Sequence, residues 1–230
     1  MPNQDELPVN VDLVLCIDAT GSMKPIIDKV KTNALTFHEQ LTSALAEKKR
    51  TMSQLRVKVI VFRDYWVDGD ESMNISRFFN LPQENDDFKS FVSGIEAKGG
   101  GDEPENALEA LALAMNSDWV KEGVKKRHVI TIWTDASAHP LEKRETDGTP
   151  SNYPSDMPAS LMELSDMWLD PQMGAMNSNA KRLAIFAPDA YPWSDLATSW
   201  DVTFHIPSKA GEGMDDFEMG EVITTLANSI

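Results

Sequence analysis

The chain alternates between continuous apolar runs and longer stretches with helical spacing. VDLVLCID (11–18) is an unbroken Val/Leu/Ile run bounded by polar residues, the pattern of a central parallel strand buried on both faces. A helical pattern from Pro25 to about Lys48 follows, with Ile26, Val30, Leu35, Leu41 and Leu45 along one side. LRVKVIVFRD (55–64) is strand-like again. ISRFFNL (75–81), reached through the turn-rich DGDES, predicts an antiparallel strand at a sheet edge. Residues 84–97 read as a helix. In GGGDEPENALEALALAM, Asp102, Pro104 and Glu105 predict a helix start, with Leu108, Leu111 and Met115 as its buried stripe. HVITIWTD (128–135) is a second continuous strand ending in an acid. RLAIFAP (182–188) and WDVTFHIP (200–207) are the last strands, and FEMGEVITTLANSI predicts a closing amphipathic helix.

Strands alternating with helices imply a doubly wound, mostly parallel α/β sheet. One interval is long: about 45 residues separate Asp135 from the strand at 182. Its polar first half predicts an enlarged loop at about 136–158, and ASLMELSDMWLD predicts the expected helix. With no repeats and no low-complexity linker, residues 1–230 read as one domain.

Composition narrows the partners more than the fold. Acids outnumber bases 37 to 21, a formal charge of -16, which argues against nucleic acid and against an anionic membrane surface. The single cysteine, Cys16, excludes an internal disulfide or a multi-cysteine zinc site and reads as a core residue. The start MPNQDELP lacks a secretory signature, and no apolar run approaches the roughly 18–20 residues that span a bilayer. A cytoplasmic protein is expected.

The chemistry concentrates at strand ends. In an open α/β sheet, ligands bind beyond the carboxyl ends of the strands. Asp18 and Asp135 end two strands, Asp102 lies in a glycine-rich loop, and Thr20 and Ser22 follow Asp18. Five oxygen ligands without His or Cys suit a hard cation, Mg²⁺ or Mn²⁺. Gly21 is expected to turn the backbone so that both hydroxyls face the ion, and Gly99–Gly101 to let the second loop approach closely.

Asp18-Ala19-Thr20-Gly21-Ser22 resembles the D-x-[ST]-x-S signature of the metal-ion-dependent adhesion site (MIDAS) of von Willebrand factor A (vWA) domains. The resemblance runs from about residue 9 to the end and includes WTDAS around Asp135 and the glycine-rich loop. RDY (63–65), GGGDEPE and TDASAH look more like intracellular vWA domains joined to atypical kinases than like integrin domains. It implies a Rossmann-like sheet of six strands in the order 3-2-1-4-5-6 with an antiparallel edge strand. It also implies a divalent ion held by three loops and completed by a partner's acidic or hydroxyl side chain, in proteins acting with kinase, phosphatase or stress-response partners. The family usually places a threonine where Asp102 stands; a third carboxylate leaves a bound dication with about -1 from the protein ligands.

The residues also admit other readings. Asp102 with Glu105 forms a capping-box pattern, and Thr20 and Ser22 are good helix caps. Arg63 and Asp64 read as an internal ion pair beside a packed aromatic, His139 as loop scaffolding. A metal-dependent, non-enzymatic protein-interaction module accounts for the motifs. One alternative is a Mg²⁺-dependent phosphatase or phosphotransferase with Asp18 as nucleophile, which lacks an acid where Thr20 stands. The other is a vestigial site with binding through the 136–180 loop.

Overall fold

The computed structural model describes residues 8–101 and 103–230. The expected doubly wound sheet is present, with parallel strands β1 (Val9–Asp18), β2 (Met52–Phe62), β5 (Lys126–Trp133), β6 (Lys181–Pro188) and β7 (Thr203–Ser208). Short β3 (Met73–Ile75) and β4 (Phe79–Leu81) both pair antiparallel with β2. The order is β3-β2-β1-β5-β6-β7, with β4 beside β2. The edge strand expected at 75–81 is thus divided. Ser76 causes the break: its hydroxyl, in place of a backbone carbonyl, accepts from Val59 N–H at 2.8 Å and donates to Arg77 O at 2.7 Å.

Alternation along the strands sends side chains to two cores. Leu13, Leu15, Ile17, Val57 and Val59 pack under α1 (Lys24–Asn33), α2 (Phe37–Glu47), α3 (Asn85–Ser93) and α8 (Met219–Ser229). Val14, Cys16, Ile60, Phe62, Ile130 and Ile132 face α4 (Ala107–Met115), α6 (Leu161–Leu169) and α7 (Trp193–Ser199). Cys16 is buried there as expected, and burial pushes its thiol up. Helix α5 (Lys143–Asp147) is a single turn within the enlarged loop.

The helix expected from Pro25 to Lys48 is two helices. Ala34–Thr36 form a turn closed by Thr36 N–H to Asn33 O at 3.1 Å, with Gln40 Nε2 donating back to Thr36 Oγ1 at 2.8 Å. The break changes the register, so Leu35 is exposed and Ala34 and Phe37 point inward. Helix α6 is where the pattern puts it, because Ser160 Oγ accepts from Glu163 N–H and Glu163 Oε2 accepts from Ala159 N–H.

Helix α4 is buried on nearly all sides, its Glu109 included. Burial pushes the Glu109 carboxyl from 4.5 up to about 7, against the opposing effects of the Tyr153 hydroxyl (2.8 Å from Oε1), Asn106 and His139. Stabilisation by the protonated form is therefore complete below about pH 4.5 and lost as pH rises through about 7. Glu109→Gln keeps the acceptor for Tyr153 and cannot ionise. It is expected to match the parent at pH 5 and to exceed it by about 2 kcal/mol at pH 8, read from urea denaturation at the two pH values. An unchanged difference between them would contradict the burial argument.

Candidate metal centre

Strands β1 and β5 are neighbours, with Ile17 opposite Trp133, so Asp18 and the Thr134–Asp135 pair emerge side by side at the carboxyl edge. Asp18 is wholly buried and Asp135 is 2% exposed. Asp18 Oδ1 accepts the Thr20 N–H at 2.8 Å, and Oδ2 accepts the Thr134 hydroxyl at 2.7 Å. Asp135 Oδ1 accepts the Ser22 hydroxyl at 3.0 Å, and Thr20 Oγ1 lies 3.4 Å from Ser22 Oγ. Four of the five expected residues therefore gather in one place. Asp102, the fifth, lies outside the described residues.

The electrostatics of the pair are one-sided. Burial pushes the Asp18 carboxyl up to about 6; hydrogen bonds from Thr134 and Thr20 oppose this, and the Asp135 charge adds to it. Among the described residues no Lys, Arg or His forms an ion pair with Asp18 or Asp135. Two adjacent carboxylates out of water with only neutral donors are costly, and a dication is the compensation the donor set fits. Among the described residues, no three His, Cys, Asp or Glu side chains converge as a metal-binding group. The oxygens gathered here are two carboxylates and two hydroxyls.

The capping alternatives fare differently. Neither Thr20 nor Ser22 caps a helix: the 3₁₀ turn Gly21–Met23 and α1 lack side-chain cap bonds, and Ser22 reaches Asp135 instead. Helix α4 starts at Ala107, later than the expected start near Asp102–Glu105, with Asn106 at its cap position. Glu105 instead runs beside the third loop, its N–H donating to Ser137 O at 3.1 Å.

The glycine requirement falls on the second loop. A Cβ on Gly21 would meet only Gly99 O at 3.8 Å, so the turn does not need a glycine there. Gly99 and Gly100 both have φ of 71°, and a Cβ on Gly100 would lie 2.6 Å from Thr20 Cγ2. The close approach expected of this loop is thus observed, helped by Gly21 N–H to Gly99 O at 3.3 Å and Lys98 N–H to Ala19 O at 3.0 Å.

Two contributors were not singled out from the sequence. Thr134 orients Asp18, and its place beside Asp135 in WTDAS was a usable signal. The loop after β7 supplies Gly213 N–H to Asp135 Oδ2 at 2.7 Å and Gly211 N–H to Asp135 O at 2.9 Å. The paired glycines of GEGMDD were the only hint.

No family model matches the chain. It is 27% identical over 160 residues to the alpha-protein kinase vwkA of Dictyostelium discoideum, a match covering 70% of this chain and 23% of that protein. The chain thus spans under a quarter of that relative's length. Among solved structures, the pilus adhesin SpaC of Lactobacillus rhamnosus GG superposes with a TM-score of 0.54 at 12% identity, over 95% of this chain and 30% of that one. Proximal thread matrix protein 1 of the mussel byssus gives a TM-score of 0.51 at 10% identity, over 96% and 49%. At these identities the likeness establishes the α/β fold alone. No described helix is long and apolar enough to cross a membrane.

Proposed function

We propose that this chain is a vWA-type module that binds Mg²⁺ or Mn²⁺ at the carboxyl edge of its sheet and, through that ion, an acidic or hydroxyl side chain of a protein partner. The carrying observation is the buried Asp18–Asp135 pair, Asp18 held by the Thr20 N–H and Thr134 hydroxyl and Asp135 by the Ser22 hydroxyl, without a cationic partner among the described residues. Asp18, Thr20, Ser22 and Asp135 would hold the ion, with Asp102 as a further ligand directly or through water. The ion would supply positive charge to which a partner oxygen can bind. Ser22 is exposed, so the cluster opens towards solvent on the side a partner would approach. The module needs no catalytic step of its own, and a cytoplasmic setting with kinase- or phosphatase-linked partners fits the resemblance to an alpha-protein kinase. The pilus adhesin and thread matrix protein that share the fold are in keeping with an interaction role.

A ligand that binds only the folded state stabilises it by about 2.7 kcal/mol at a hundredfold excess over Kd, which for a chain of this size is roughly 5–10 °C in Tm. Manganese at that excess is expected to raise Tm by this amount, and EDTA to reverse it. A Tm indifferent to both would contradict the metal reading.

A further inference from the structure

The sequence suggested an internal ion pair between Arg63 and Asp64, at the end of β2. The structure pairs neither with the other. The Arg63 guanidinium, 6% exposed, spends its donors on backbone carbonyls. Nε reaches Ala19 O at 3.0 Å and Lys98 O at 2.9 Å, Nη1 reaches Glu71 O at 2.6 Å, and Nη2 reaches Glu96 O at 2.6 Å. Ala19 stands between Asp18 and Thr20, and Lys98 directly precedes Gly99. One side chain therefore ties the Asp18 loop to the glycine loop. No carboxylate forms an ion pair with it among the described residues, so its work there is geometric.

Asp64 turns to the third loop. Its Oδ2 lies 2.9 Å from His139 Nε2, four residues after Asp135, and its Oδ1 accepts the Trp66 N–H at 2.6 Å. Burial acts to raise the Asp64 carboxyl, but His139, Trp66 N–H and Lys143 outweigh it and hold it below the usual range. The His139 N–H then donates to Glu105 O at 2.9 Å, joining the third loop to the second.

We propose that the Arg63-Asp64 dipeptide is the brace that sets the spacing of the three cation-site loops, Arg63 fixing the first against the second and Asp64 fixing the third through His139. These are positioning residues that touch no ligand, and their effect on cation affinity rests on the metal reading above. Partners one step behind metal ligands typically contribute about 10–100-fold in affinity. Lysine cannot replace Arg63, because a single ammonium cannot serve four carbonyls spread around a planar fork.

Two readouts test the brace. The first is residue-resolved hydrogen exchange without metal, which reports local opening. In the parent chain the amides of Gly21, Lys98 and His139, each bonded across loops, are expected to share one protection factor. Arg63→Lys should speed exchange at Gly21 and Lys98, and Asp64→Ala at His139, by about tenfold, with α8 unchanged. The second readout is Mn²⁺ affinity, expected to fall about tenfold in each variant. Unrelated protection at the three amides, or variants with parental loop exchange and affinity within twofold, would overturn the brace. A parent chain that takes up no Mn²⁺ while the exchange pattern holds would remove the metal reading and leave the brace standing. The parent measurement decides even if a variant does not fold.

Discussion

Asp18→Asn is expected to abolish Mn²⁺ binding, lowering affinity by more than about 100-fold, while the metal-free protein is at least as stable as its parent. Loss of a charged direct ligand should exceed the roughly 10–100-fold that outer partners contribute. The metal-free gain has a separate origin. The parent carboxylate is fully buried with neutral donors only. The amide is nearly isosteric, keeps an acceptor for the Thr20 N–H, and its NH₂ can donate to the Thr134 hydroxyl. A buried charge is exchanged for a buried dipole, worth on the order of 1 kcal/mol in the variant's favour. Calorimetric titration with Mn²⁺ and urea denaturation in EDTA check the two halves. A variant that loses stability in EDTA as well as metal would show that Asp18 serves the fold.

Gly213→Ala is expected to damage the site from a loop that carries none of the expected ligands. Gly213 has φ of 60°, and a Cβ there would lie 2.0 Å from Ser22 O and 2.9 Å from Pro25 Cδ. Backbone must move, either in the Asp18 loop or in the loop that donates Gly213 N–H to Asp135. The left-handed conformation alone disfavours alanine by roughly 1–2 kcal/mol. With the displacement and the lost hydrogen bond, a destabilisation of about 2–4 kcal/mol and a fall of about tenfold in Mn²⁺ affinity are expected. Gly220→Ala is the matched control: it lies in α8 with nothing within 4 Å of a Cβ, and should gain about 0.5–1 kcal/mol. Equal effects of the two substitutions would contradict the close approach at Ser22.

The parts legible in the sequence are those that local pattern encodes. Two continuous apolar runs ending in acids gave β1 and β5, and their adjacency brings Asp18 beside Asp135. The polar interval after Asp135 and the ASLMELSDMWLD helix were likewise visible in spacing. What escaped depends mostly on partners distant along the chain, the local turn that divides the first helix being the exception. A single serine hydroxyl divides the edge strand at Ser76, and an asparagine–threonine turn divides the first helix, both inside patterns that look unbroken. Arg63 meets carbonyls 35 and 44 residues away, which bear no residue-type signature because every residue has a carbonyl. The glycines of the second loop were legible, and Gly100 does approach Thr20 closely. For the same reason as with Arg63, the need at Gly213, which meets Ser22 only in space, was not legible, while Gly21, expected to be required for the turn, is not.

The most direct measurement is anomalous diffraction from a crystal grown or soaked with Mn²⁺. The expected result is one peak at ligand distance from Asp18, Ser22 and Asp135, with Thr20 and Asp102 seen directly or through water and an open position facing solvent. Octahedral oxygen coordination would accompany it. Absence of a peak there at saturating Mn²⁺, or a peak only elsewhere on the surface, would contradict the claim that the buried Asp18–Asp135 pair is built for a cation.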